Sequence, residues 1–289
     1  MNSKLILGTV QFGLNYGINN IVGKPSKKNI KSILDSAYNN GIQLLDTAEA
    51  YGDSQNKIGE YHNNSTNKFN VITKFSSNAE GFSLNIIERV HNNLKILDVD
   101  KLYCYMFHSF DDFENHFENY RKELRLLKKN GIIDNIGVSV YTNNELESVL
   151  KFDEISLVQL PFNLLDNDNK RGDILKKAKV KGIEIHTRSV FLQGLFFKKI
   201  SELGDKIKPL EPYLRSLNDL CDKDYKINDL ALNYVCNKKN IDRVLIGVDN
   251  VFQLKANIVS EKRNIQKEIF KKIEAIDVKE IELLNPSNW

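Results

Sequence analysis

Four residues of kinds that move protons stand at or just beyond the ends of apolar runs: Asp46 in "QLLDT", Tyr51 shortly after it, Lys74 in "FNVITKF" and His108 at the end of "YCYMFH". A free phenol, with a pKa of about 10, is a poor acid or base near neutrality. A neighbouring ammonium favours the phenolate and moves that value towards working pH. If Asp46 and Lys74 close adjacent strands, carboxylate and ammonium can pair in a poorly solvated mouth, so that the aspartate holds the lysine and the lysine tunes the tyrosine. The His108 ring would face the same cavity and could hydrogen-bond an oxygen bound there. His62, His91 and His116 fall in polar loop or helix segments, and His186, inside an apolar run, reads as a satisfied core histidine.

The elements that must position these groups are legible as a repeat. Eight short β-rich runs recur at 4–9, 43–47, 69–75, 101–108, 133–140, 154–160, 182–189 and 242–248. They are nearly continuous in apolar residues, as parallel strands covered on both faces should be. Between them, apolar residues step by three and four, as in Ile30, Ile33, Leu34 and Ala37, the mark of helices with one buried face. Gly41, Gly131 and Gly182 each follow such a pattern, where a left-handed glycine ends a helix. Alternating strands and helices without a GxGxxG turn after the first strand favour a closed (β/α)8 TIM barrel over an open doubly wound sheet. The reactive residues then gather at the C-terminal rim, where the strand ends supply, in order, Asp46, Lys74, His108, Ser139, Gln159 and Arg188 with Ser189.

A length of 289 residues suits one such barrel, and no Pro/Gly/Ser-rich linker divides the chain, so 1–289 reads as a single domain. The interval from 190 to 240 has room for an extra loop as well as helices. "RNIQKEIFKKIEAI" reads as one more amphipathic helix outside the repeat; Trp289, at the very end, could reach back over the barrel mouth or lie free in a tail, and the tail is the expectation. With 27% charged residues and a net charge of +3 spread over helix faces, the chain carries no nucleic-acid footprint. Its start has too short an apolar run for a signal peptide, and no stretch is long enough for a membrane span, which points to the cytoplasm. Three cysteines without CxxC spacing suggest neither a disulfide framework nor a zinc site, and no metal is expected. The glycosylation-type triplets at Asn63 and Asn64 have no meaning without secretion.

"LGTVQFGLNYG", "GIQLLDTAEAYGDSQNKIG", "VITKF", the strand-ending His108, "IGVSVY", "VQLPFNLLD" and "LIGVDNVFQLKANI" resemble, in order and over nearly the whole chain, the landmarks of the aldo-keto reductases. The resemblance implies an NAD(P)H-dependent reductase of a small-molecule carbonyl. Tyr51 would be the general acid, Lys74 and Asp46 would depress its pKa, and His108 would orient the carbonyl. Ser139 and Gln159 match the places that hold the nicotinamide carboxamide. Arg188 stands where the family often stacks an aromatic ring on the nicotinamide, a place a guanidinium plane can also fill. Ser189, Phe191, Gln193 and Gly194 would lie near the pyrophosphate. Gly247, Asp249, Gln253 and Asn257 would lie along the adenosine.

Two departures matter: Ser139 is followed by Val140 instead of the usual asparagine, and the 2′-phosphate-binding lysine or arginine is missing from "IGVDNVFQ". NADP(H) is therefore the cofactor by resemblance, while Asp249, which repels a phosphate and can accept from a free 2′-hydroxyl, makes NAD(H) possible. Polar loops such as "NNSTNK" and "LLDNDNKRGD" suggest a hydroxylated, sugar-like substrate. Competing readings are a Schiff-base lyase or aldolase with Lys74 as nucleophile and a nucleotide-holding redox sensor with little turnover. The residues set no oligomeric state.

Overall fold

The computed structural model describes residues 3–20, 23–79 and 85–289, so the N-terminal segment is described from Ser3 onward. In chain order the elements are β1 (Leu5–Gly8), α1 (Val10–Gly13), α2 (Lys27–Asn39), β2 (Leu44–Asp46), α3 (Ser54–Asn63), β3 (Asn70–Phe75), α4 (Ile86–Leu97), β4 (Leu102–Phe107), α5 (Phe110–Lys129) and β5 (Ile133–Ser139). There follow α6 (Asn143–Val149), β6 (Leu157–Pro161), α7 (Asp168–Val180), β7 (Glu184–Arg188), α8 (Glu211–Asp219), α9 (Ile227–Cys236), β8 (Arg243–Gly247), α10 (Val251–Glu261) and α11 (Lys267–Glu274). All eight strands pair in parallel in sequence order, and β1 closes on β8 through Leu5↔Val244 to Gly8↔Gly247. The expected (β/α)8 barrel is the fold.

Its layers follow from strand alternation. Ile6, Leu44, Ile72, Cys104, Met106 and Leu157 form one buried cluster, with Tyr103 and Leu245 packed against it. A Cβ on Gly137 would come within 2.9 Å of both Cys104 Sγ and Met106 Cε, which keeps that position a glycine. Leu5, Leu7, Leu45, Val71, Tyr105, Phe107, Val138, Val158, Ile185, Val244 and Ile246 belong to the larger core shared with the helices. Two residues beyond the first cluster, the same strand face reaches Gly8, Asp46, Lys74, His108, Gln159 and Gly247, so the polar rim continues an apolar interior.

Helix boundaries are set by side chains. Ser26, Asn85 and Ser109 accept from the backbone of Asn29, Glu88 and Asp112, and Thr142 with Glu145 forms a capping box. Gly41, Gly131 and Gly182 adopt φ of +81°, +72° and +77° just past α2, α5 and α7, as their spacing suggested. Short 3-10 turns and α8 occupy the first part of the 190–240 interval, ahead of α9.

Two expectations need correction, those for His186 and Trp289, and His62, which lies in a helix as its segment suggested, is buried there. His62 is 1% exposed inside α3, since Phe69 N–H donates to its Nε2 and its Nδ1 faces Leu97 O at 2.7 Å. That pattern fixes a neutral ring with the proton on Nδ1, and burial lowers its pKa. His186 is only half satisfied: Nε2 lies 2.7 Å from Glu184 Oε1, while buried Nδ1 has no partner. Trp289 is not a free tail, because it packs partly buried against the core and donates from Nε1 to Leu283 O at 2.9 Å. Among the described residues, no helix is long and apolar enough to cross a membrane, and no group of three or more His, Cys, Asp or Glu is placed to hold a metal.

Candidate active site

At the C-terminal rim, β2 and β3 lie side by side and bring Asp46 and Lys74 together as an ion pair, each 1% exposed. Such a buried pair persists only when its remaining hydrogen-bonding capacity is met. Here Lys74 Nζ also donates to Thr47 O at 3.1 Å, and Gln159 Nε2 donates to Asp46 Oδ2 at 2.8 Å. Lys74 Nζ is 5.1 Å from the centroid of the Tyr51 ring, and His108 stands edge-on to the same ring at 5.4 Å and 77°. Asp46, Lys74, Tyr51 and His108 therefore do meet.

Their ionisation is set by competition between burial and charge. Burial pushes the Tyr51 phenol up, and although Lys74 and Arg188 pull it down, the net direction is upward. The expectation that the ammonium would bring this phenol towards neutrality is thus corrected for its net sign, though not for the sign of the lysine's own effect. Burial alone would lower Lys74, but Asp46 and Tyr51 outweigh it and hold the ammonium charged. His108 is pushed down to about 4 by burial and by the Lys74 charge, so its ring is neutral at pH 7.

Tyr51 is aimed by its loop. Ser54 Oγ donates to Thr9 O at 2.9 Å, and Thr9 Oγ1 donates to Asp46 O at 2.9 Å, which ties the loop to β1 and β2. Farther along, the Glu49 carboxylate accepts from Tyr105 Oη, Asn93 Nδ2 and Arg89 Nε at 2.8, 2.6 and 2.6 Å. Sequence reasoning missed this network, because its members lie on the loop after β2, on α4 and on β4, and only folding joins them.

Above the four residues opens a cavity of about 740 Å³, within the roughly 300–1,000 Å³ usual for ligand sites. Ser139, Gln159, Arg188, Ser189, Phe191, Gln193, Gly194, Gly247, Asp249, Gln253 and Asn257 line it together with Asp46, Tyr51 and His108, whereas Lys74 does not. Two loops latch across it. Ser189, Leu192, Gln193 and Gly194 take positive φ after β7, and this turn is met from the β1 side by Asn19 Nδ2, which donates to Gly194 O at 2.6 Å, and by Tyr16 Oη, which accepts from Gln193 Nε2 at 3.0 Å. The Tyr16 phenol is pushed up to about 12, mainly by burial.

On the β8 side, Asp249 N–H donates to Gln253 Oε1 at 2.7 Å. Asp249 Oδ1 and Gln11 Oε1 are buried without partners, and a Cβ on Gly247 would lie 2.4 Å from Gln11 Nε2. Gln11, Tyr16, Tyr141, Lys226 and Asn228 line the cavity too, and none of them was singled out from sequence, where they stand among ordinary polar and aromatic loop residues.

Comparison with known proteins adds the decisive observation. The model of the "Aldo/keto reductase family" matches residues 4–278. The chain belongs to that family. Among curated relatives, "Aldo-keto reductase YhdN" of Bacillus subtilis is 26% identical over 264 residues, covering 81% of this chain and 78% of its own. The "L-galactose dehydrogenase" of Arabidopsis thaliana is 25% identical over 300 residues, covering 95% and 92%. Among solved structures, "aldo-keto reductase AKR11C1 from Bacillus halodurans (holo form)" aligns with a TM-score of 0.76 at 20% identity, covering 95% of this chain and 92% of that one, a likeness of fold. This aldo/keto reductase is accordingly an oxidoreductase, of a family whose members reduce carbonyls with nicotinamide cofactors.

Proposed function

We propose that this aldo/keto reductase reduces an aldehyde or ketone to an alcohol with NADPH or NADH, Tyr51 acting as the general acid. The observation that carries the reading is the buried Asp46–Lys74 pair directly beside the Tyr51 ring, with His108 edge-on to it in one cavity. When bound, the cofactor supplies hydride to the carbonyl carbon. Tyr51 Oη gives its proton to the carbonyl oxygen, and the charged Lys74 stabilises the phenolate left behind. Neutral His108 orients that oxygen by donating a ring N–H. Lys74, held charged and 1% exposed, is a poor Schiff-base nucleophile, which argues against the lyase reading.

The residues present fit a dinucleotide. Gly247 leaves open a cradle that a Cβ would fill, and the orphaned Gln11 Oε1 and Asp249 Oδ1 are acceptors awaiting donors. Gln159 has committed Nε2 to Asp46, which leaves Oε1 to accept from a carboxamide N–H. Ser139 would hold the same group, Arg188 its ring face, Ser189, Phe191, Gln193 and Gly194 the pyrophosphate, and Gln253 and Asn257 the adenosine. Asp249 Oδ1 suits a free 2′-hydroxyl, so NADH is accepted and preferred. The amide-rich lining, with Asn19, Asn20 and Asn228, suits a hydroxylated, sugar-like carbonyl.

The test is the rate of NADH and NADPH oxidation against small aldehydes, ketoses and sugar aldehydes. We expect reduction of at least one class, with kcat/KM higher for NADH. Absence of reduction throughout overturns the function. A strong NADPH preference overturns the NADH reading and moves the 2′-phosphate to Lys226, the lining cation just before α9.

A further inference from the structure

We propose that the substrate carries an anionic group, a carboxylate or a phosphoryl, and that Arg188 binds it; this rests on the carbonyl-reductase reading above. Arg188 follows from β7 into the cavity, half-buried, and its guanidinium stacks on the Tyr141 ring at 4.0 Å. Among the described residues its guanidinium makes one hydrogen bond, a long 3.4 Å contact from Nη2 to Val140 O. Among the described residues no carboxylate pairs with it. The buried Arg89 and Arg171, by contrast, are neutralised by Glu49 and Asp166.

Neither acid that lines the cavity, Asp46 or Asp249, pairs with Arg188. Asp46 is taken by Lys74 and Gln159, and Asp249 is tied to Gln253 on the loop after β8. With Asp46 and Lys74 cancelling, Arg188 leaves a net positive charge at the reacting end. That charge reaches the groups beside it, since it lowers the pKa of both Tyr51 and His108, favouring the phenolate of the one and the neutral ring of the other. Stacking on Tyr141 fixes the guanidinium plane, so several edge N–H donors remain in the fork that carboxylate and phosphoryl oxygens match two at a time. An uncompensated cation enclosed with substrate is costly unless the substrate supplies the anion.

Two matched pairs of carbonyls test this: succinic semialdehyde against its methyl ester, and glyceraldehyde 3-phosphate against glyceraldehyde, with wild type, Arg188→Met and Arg188→Lys. In wild type we expect the charged member of one pair to be favoured in kcat/KM by about tenfold or more. The favoured pair identifies the anion. The ratio should fall to near one in Arg188→Met and recover in part in Arg188→Lys. If Arg188 serves the cofactor alone, both members lose rate equally and the ratio stays put, which overturns the proposal, as does a wild-type ratio near one in both pairs. Should neither pair be reduced, the reductase reading has failed for them. Calorimetric titration of succinate and inorganic phosphate, with and without NADH, then decides: binding at least about tenfold weaker in Arg188→Met supports the anion site, and equal binding overturns it.

Discussion

Tyr51 sits where burial and an ammonium pull its ionisation in opposite directions, and the sum leaves a phenol that keeps its proton through neutrality. That state suits an acid that must be protonated when an alkoxide forms beside it, and Lys74 then supplies the charge that makes release tolerable. His108, pushed down to about 4, is neutral over the same range. The reduction rate should therefore be flat from about pH 5 to 9, with no limb near the ordinary histidine or a depressed tyrosine value; a basic limb near neutrality would contradict this.

The same histidine links pH to stability. Folded His108 holds its proton less tightly than the unfolded residue, so its contribution is full above about pH 6.5 and is lost as pH falls towards 4. His108→Asn should reduce the loss of unfolding free energy between those values in denaturant titrations. The meeting of these residues was legible because Asp46, Lys74 and His108 stand at the ends of apolar strand runs, two positions beyond an inward-facing apolar residue, and Tyr51 follows Asp46 closely on the next loop. The net direction of the Tyr51 shift was not, since it depends on burial by loops from separate strands.

At the scale of elements, close approach of backbones aims the site. A Cβ on Gly13, at the end of α1, would stand 1.7 Å from Tyr51 O, and one on Gly59 in α3 would stand 1.9 Å from Ile96 O. Both alanine variants should lose stability, by about 1–3 kcal/mol for overpacking. Gly13→Ala should in addition lower kcat/KM, because the displaced chain carries Tyr51. Gly59→Ala, at the α3–α4 contact, should leave activity per folded molecule nearly unchanged. Equal activity losses in the two would contradict this, with thermal melts and active-fraction titration as the readouts. Neither glycine advertises itself in sequence, whereas Gly41, Gly131 and Gly182 do, because helix ends have a local signature and a tertiary contact has none. The burial of His62 left no local trace either: it stands among polar neighbours, and the groups that hold it, Leu97 at the end of α4 and Phe69 just before β3, are brought to it only by folding.

Across the whole molecule, closure of eight strands removes every sheet edge and brings the β1, β2, β7 and β8 loops around one cavity. That much followed from the repeat. The return of the C-terminal segment, which brings Ser287 to the cavity and packs Trp289 partly buried, did not, because short 3-10 turns leave no periodicity to read. The central claim is that a barrel of this kind makes one phenolic proton transferable. It is tested most directly by comparing Tyr51→Phe with wild type in both turnover and NADH affinity, the latter by cofactor fluorescence. Turnover should fall by orders of magnitude while the dissociation constant stays nearly intact; an undiminished rate would contradict the account.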